Sequence, residues 1–239
     1  MSQLSRGNER STTSLDWSAV EVALDLNGNA VLPGLLTPQQ CSELVAMYFE
    51  DEHFRTKIVM ARHGFGLGEY KYYAYPLPDL LSQLREDVYP HLAPIANRWN
   101  QLMRISIRYP DTLPEYLERC HAAGQNRPTP LILKYVEGDY NRLHQDLYGE
   151  HVFPLQVAIL LSRPAEDFTG GEFVMTEIGS SGQRADVVPL RQGDGVVFTV
   201  NQRPLQSGSR PRKVAMRHGV SRVRSGSRHT VGLIFHDSQ

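Results

Sequence analysis

After Pro130 the chain becomes a succession of short β-forming runs, and that texture limits its fold more than any other feature. "LILKYV", "LQVAILLS", "GEFVMTE", "ADVVPL", "GVVFTV", "KVAMRHGV" and "RHTVGLIFH" are rich in β-branched and aromatic residues, with Gly, Pro, Ser and Asp clusters between them. About seven short strands at this spacing predict a sandwich or jelly roll. No alternation of strand and helix signals occurs, which argues against a Rossmann-type sheet.

Upstream of Pro130 the periodicity changes to that of helices. "LTPQQCSELVAMYFEDEHF" opens with Thr37 as N-cap, Pro38 at the first helical position and Gln40 completing a capping box. Cys41, Leu44, Val45, Tyr48 and Phe49 then mark one apolar face. A second helical region begins at Asp79, with a break expected near Pro90. A third fits "LPEYLERCHAAG", with Gly124 as its stop. The fold class expected is therefore α+β with a mainly β core and an N-terminal helical support. Residues 1–14 are expected to form a disordered tail. Residues 15–239 are expected to form one domain, with 15–129 mainly helical support and lid and 130–239 the β core.

Composition narrows the setting. Net charge is −1 and charged residues make up 21% of the chain, so no global field draws it to nucleic acid or membrane. A local basic run stands out: Arg203, Arg210, Arg212, Lys213, Arg217, Arg222, Arg224 and Arg228 fall where no Asp or Glu occurs. Such a run suits phosphate contacts, and equally a solvated basic hairpin. Two cysteines do not make a disulfide framework. With no apolar leader and no stretch of membrane-spanning length, a reducing, cytoplasmic location without membrane contact is expected.

The chemistry concentrates around "NRLHQDLYG". On an extended backbone His144 and Asp146 point to one side and offer an imidazole beside a carboxylate. A third ligand must come from His151, His218, His229 or His236. His218 lies on the penultimate β run, whereas His229 neighbours Arg228 and would face the opposite side of its strand. Two His and one carboxylate on one face of an octahedral ion, with open positions left over, form the facial triad of non-haem Fe(II) oxygenases. A 2-oxo acid would also need a cation for its far carboxylate, and Arg228 stands ten residues after His218. Tyr135 supplies a hydroxyl nine residues before His144.

Tyr135, "HQD", "TGGEF", "GDGVVF", His218 and Arg228, in that order, resemble the Fe(II)/2-oxoglutarate-dependent dioxygenase superfamily over residues 131–237. "ARHGFGLGEYKYYAYPLP", "LAPIANRWN", "LLSRPAEDFTGGEFVMTE" and "RHGVSRVRSGSRHTVGLIFHD" are similar to bacterial oxygenases ascribed to oxidative demethylation of damaged DNA. The resemblance implies a double-stranded β-helix, a kind of jelly roll. It also implies Fe(II) on His144, Asp146 and His218, 2-oxoglutarate on Arg228 with Tyr135 assisting, O2 as oxidant and ascorbate as an in vitro activator. The expected reaction is demethylation of alkylated bases in single-stranded DNA or nucleotides, with release of formaldehyde, succinate and CO2. Within "RHGFGLGEYKYYAY", Arg62, His63, Tyr70 and Lys71 are candidate substrate-lid residues, since aromatic rings can stack on an extruded base.

The chain departs from the alkylation-repair dioxygenases at three places. Thr230 and Ile234 stand where those enzymes carry Asn and a second Arg, and Leu133 replaces an Asn before the Tyr. The ten-residue His-to-Arg spacing looks more like that of prolyl hydroxylases. A protein (prolyl-type) or small-molecule hydroxylase on the same core is the alternative expectation. A non-catalytic nucleic-acid-binding barrel stands behind both.

Overall fold

The computed structural model describes residues 12–147, 149–179, 182–207 and 210–239. Most of the expected disordered tail, residues 1–11, lies outside them. Thr12 is buried, and its carbonyl accepts a hydrogen bond from Trp17 Nε1 at 3.1 Å.

From Trp17 onward the described residues of the first half form α-helices α1 (Trp17–Asn27), α2 (Pro38–Met47), α3 (Asp79–Leu102) and α4 (Leu113–Ala122). Local sequence explains their ends. The Asp16 carboxylate accepts from Ser18 and Ala19 N–H, and Gly28 closes α1 in the left-handed region. The Thr37–Gln40 capping box forms as expected, and Gly124 follows α4 with φ +80°. Helix α2 stops at Met47, before the predicted stripe ends, so Phe49 falls outside it and is exposed.

The break expected near Pro90 does not occur: α3 runs unbroken through Pro90 and Pro94. Both prolines fall on the exposed face, and so do the residues whose carbonyls they leave unbonded, Glu86 and Pro90. Water can satisfy those carbonyls, while Leu81, Leu84, Val88, Leu92 and Trp99 stay buried on the other side.

The first half is also less helical than expected, because it supplies four strands: β1 (Asn29–Leu32), β2 (Phe54–Val59), β3 (Gly66–Leu67) and β4 (Glu69–Tyr73). Ten more follow: β5 (Leu131–Val136), β6 (Tyr140–His144), β7 (Leu155–Leu160), β8 (Phe168–Gly170), β9 (Phe173–Gly179), β10 (Gly182–Val188), β11 (Gly195–Thr199), β12 (Gln202–Ser207), β13 (Arg210–Val220) and β14 (Val223–Leu233). One sheet runs β1-β11-β7-β14-β5-β4-β2, with β8 beside β14; the other runs β10-β9-β13-β6-β3, with β12 beside β13. All the strand pairs among the described residues are antiparallel, giving the two facing sheets of a jelly roll. The "EYKYY" segment is thus strand β4 of the larger sheet.

Alternation along the strands divides the interior. On β14, Val231 and Leu233 join Leu81, Leu84 and Trp99 in the core between the sheet and the helices. Arg228, Thr230 and Gly232, on the opposite face, line the space between the two sheets.

The basic run does not form one surface. Arg203 is 1% exposed, donates to the Asp25 and Leu26 carbonyls at the end of α1, and pairs with Glu177. It serves as a buried cation at a helix C-terminus. Arg212, Lys213, Arg217, Arg222 and Arg224 do face solvent.

Candidate metal centre and co-substrate cavity

His144 ends β6 and His218 sits opposite it on β13 in direct register. Their rings lie 4.2 Å apart, centroid to centroid. Asp146 lies beyond the strand, so simple strand alternation does not place it. The intervening Gln145 does: its Nε2 donates to Asn201 Oδ1 at 2.9 Å and to the Met216 carbonyl at 2.8 Å, which pins the segment to β13 and the turn before β12. Asp146 then reaches both imidazoles, with Oδ1 3.4 Å from His144 Nε2 and Oδ2 3.5 Å from His218 Nε2.

One ligand atom from each of the three residues lies within 4.8 Å of the other two. The His144 Nδ1 is 2.7 Å from the Arg142 carbonyl, an orientation that leaves Nε2 for a metal. Burial alone would lower the His144 imidazole, but the hydrogen bond and charge of Asp146 outweigh it and raise its pKa. Burial likewise opposes ionisation of Asp146, yet His144 and His218 hold the carboxyl down to about 2. His218, buried between Phe173 and Phe198, is pushed down to about 3 by desolvation and by the neighbouring His144 charge. A divalent cation suits this donor set of two imidazoles and one carboxylate, and it would replace the proton on His144.

The cluster opens into a cavity of about 360 Å³ between the sheets. Arg228 is 2% exposed at its wall, and among the described residues no carboxylate lies within ion-pair distance of it. Desolvation pushes its guanidinium down to about 10. Its Nη1 donates to Thr230 Oγ1 at 2.5 Å, while its Nε has no acceptor. Tyr135, paired with Arg228 across β5 and β14, is fully buried with an unbonded hydroxyl. A buried cation beside an unbonded hydroxyl fits a carboxylate ligand.

The remaining expected residues divide. Tyr70 lines the cavity. Arg62 and His63 lie on an exposed 3-10 turn, Met60–His63. Lys71 does not belong to the site. Strand alternation turns it to the opposite face, where its Nζ donates to the Tyr48 carbonyl at 2.8 Å and pairs with Asp51 at 2.6 Å. His229 also faces away from the cavity, toward Tyr48. Sequence reasoning missed Gln156, Asn141 and Arg55, and weighed His236 only as a third metal ligand; all four line the cavity. Gln156 carried a signal, a polar residue inside the apolar run "LQVAILLS".

Comparison with known proteins bears on this geometry. A family model named Oxygenase-NA, described as "Oxygenase, catalysing oxidative methylation of damaged DNA", matches residues 68–238. An uncharacterized protein of Mycobacterium tuberculosis is 48% identical over 164 residues, which cover 68% of this chain and 70% of the relative. Among solved structures, a Pseudomonas putida prolyl-4-hydroxylase superposes with a TM-score of 0.53 at 14% identity, covering 93% of this chain and 99% of that one. A 2OG-Fe(II) oxygenase family oxidoreductase from Burkholderia pseudomallei superposes with a TM-score of 0.51 at 13% identity, covering 94% and 93%. At such identities the structural likeness establishes the jelly-roll fold of 2OG-Fe(II) oxygenases.

Proposed function

Because the chain belongs to the Oxygenase-NA family, we propose that it is an Fe(II)/2-oxoglutarate-dependent oxygenase that demethylates alkylated nucleic-acid bases. The observation that carries the cofactor assignment is Arg228, a buried guanidinium with no carboxylate partner among the described residues, in one cavity with His144, Asp146 and His218. Bound Fe(II), 2-oxoglutarate and O2 supply the oxidation, in which one oxygen atom enters a substrate C–H bond and the other enters succinate as CO2 leaves.

The chain's own part is to bind, orient and exclude water. His144, Asp146 and His218 would hold the metal at the wall of the cavity. Arg228 grips the far carboxylate of the co-substrate, Thr230 braces that guanidinium, and the Tyr135 hydroxyl donates to the same carboxylate. Phe173 and Phe198 shield His218 from solvent. On an N-methyl base, hydroxylation yields a hemiaminal that loses formaldehyde. We read residues 15–239 as one domain, since strands from both halves share the larger sheet. Both cysteines are free and buried, which supports a reducing, cytoplasmic setting. Among the described residues no helix is long and apolar enough to cross a membrane.

A second reading, hydroxylation of a peptide or small molecule, draws on the cavity itself. Leu133 and Ile234 line it where the alkylation-repair enzymes are polar. Formaldehyde and succinate release, assayed with Fe(II), ascorbate and 2-oxoglutarate on methylated single-stranded DNA, separates the two. Formaldehyde that requires methylated DNA, and is lost in Arg228→Met and His144→Ala, establishes demethylation. Succinate without formaldehyde, at one rate on methylated DNA, unmethylated DNA and a proline-rich peptide, rejects it and leaves the oxygenase assignment standing.

A further inference from the structure

The cavity contains a second guanidinium that the proposed function does not use. Arg55, on β2 and upstream of the family match, lines the cavity with Tyr72, Thr129, His236 and Ser238. Strand register places it at the end opposite Arg228. Tyr135 pairs with Arg228, whereas Leu131 pairs with both Gly232 and Tyr72. Those two levels of β5 stand four residues apart, about 13 Å. Beyond Leu131, Arg55 Nε donates to the Pro128 carbonyl at 2.9 Å and Nη2 reaches Ser238 Oγ at 3.4 Å. The ligand cluster lies toward this same end. Asp146 interacts with Gln156, which precedes Val157, and Val157 pairs with Leu233 near the end of β14.

Arg55 is also pre-organised. Its guanidinium carbon lies 4.5 Å from the Tyr72 ring centroid, and the Pro128 contact sets the orientation of its plane. These contacts leave Nη1 without an acceptor, and among the described residues no carboxylate pairs with it. Partial burial lowers the pKa of the group, with the Arg127 charge adding to the shift and Asp237 opposing it. A structural tie for the C-terminal segment would need only the Ser238 contact, not a charge facing the cavity.

We propose that Arg55, seated on Tyr72, anchors an oxyanion of the substrate and holds the group to be oxidised over His144, Asp146 and His218, on the side away from Arg228. The inference rests on the proposed function and narrows its substrate to one carrying a phosphate or carboxylate close to the reacting carbon. A guanidinium fork takes either anion through two oxygens.

The test is calorimetric, on the full chain holding Mn(II) and 2-oxoglutarate. Thymidine monophosphate is titrated against thymidine, and N-acetylproline against its amide. At least one anion should bind ten-fold or more tightly than its neutral counterpart. Arg55→Gln should erase that preference without changing 2-oxoglutarate affinity, and Ser238→Ala should keep it. Preference for the phosphate alone identifies a nucleotide substrate, and preference for the carboxylate alone an amino-acid one; either supports the anchor. Equal binding of charged and neutral ligands, or a preference that survives Arg55→Gln, overturns it. If Arg55→Gln does not fold, Arg55→Lys, which keeps the charge without the planar fork, should show a reduced preference; an undiminished one overturns the anchor. A wild-type chain that holds neither Mn(II) nor 2-oxoglutarate defeats the proposed function instead, and the same titration on metal-free protein still reads Arg55.

Discussion

Gly171 and Arg228 meet so closely that a Cβ on the glycine would stand 2.9 Å from Arg228 Cδ. The φ of Gly171 is +62°, a region in which a side chain is strained whatever the space. The second glycine of "TGGEF" therefore makes room for the buried cation to reach the cavity.

Gly171→Ala should displace that guanidinium. The expected result is a loss of about ten-fold in 2-oxoglutarate affinity, or about 1.4 kcal/mol, with Mn(II) affinity unchanged. Titration of 2-oxoglutarate into the Mn(II)-loaded variant measures it. An unchanged affinity would mean that Gly171 does not position Arg228.

Gln156 should matter to the metal without touching it. Its buried Nε2 makes no full hydrogen bond, yet the amide helps to hold the Asp146 carboxyl low. Gln156→Leu keeps the bulk and removes that influence. Mn(II) affinity should fall by about 10- to 100-fold, the usual effect of losing a partner behind a metal ligand. Equal metal affinities in the two proteins would remove Gln156 from the site.

Stability should fall in mild acid, in part through His229. Its imidazole is 6% exposed and is pushed down to about 4 by burial first, then by the charges of Lys134 and Arg228, with Asp167 opposing. The Tyr48 ring packs against it, 5.6 Å between centroids. The unfolded chain titrates near pH 6.5, so between about 6.5 and 4 it binds the extra proton. The contribution is complete above 6.5 and is lost as pH falls toward 4, at up to about 1.4 kcal/mol per pH unit. Denaturant titrations across that window should show a shallower slope for His229→Phe, which keeps the ring contact.

Asp237 should be among the costliest residues to truncate. It is fully buried, accepts from the Tyr75 hydroxyl at 2.8 Å, lies 2.9 Å from His121 Nε2 and stands 3.6 Å from the equally buried Arg85. Asp237→Ala would strand the Arg85 charge, at a cost of about 3–5 kcal/mol and a fall in Tm on the order of 10 °C. Arg85→Met in the same chain should recover part of that loss. Thermal unfolding of both variants decides the point.

Much of this was legible in the sequence. The Thr37 capping box, the Gly124 stop and the β runs after Pro130 depend on neighbours within a few residues, and they formed where expected. His218 rather than His229 reached the cluster because strand alternation is a local rule, and it sets Arg228 and His229 on opposite faces. The same rule misled where the element itself was misread. Tyr70 and Lys71 are both expected as substrate-lid residues, but as neighbours on strand β4 they point in opposite directions. Pro90 does not break α3, because which face of the helix meets water is settled by its packing.

Local chemistry by itself determined the strand-rich core, the helix caps and the spacing of His144, Asp146, His218 and Arg228 along the chain. Tertiary structure alone decided that β4 and β2 extend the larger sheet and carry Tyr72 and Arg55 to the cavity. It also turned Arg203 from a surface charge into the buried cap of α1, and buried Arg228 at the cavity wall with no carboxylate within ion-pair distance among the described residues. The reason is physical. Periodicity and capping arise from interactions within a turn or two of backbone, whereas the pairing of β4 with β5 and the desolvation of a guanidinium depend on residues far apart in sequence.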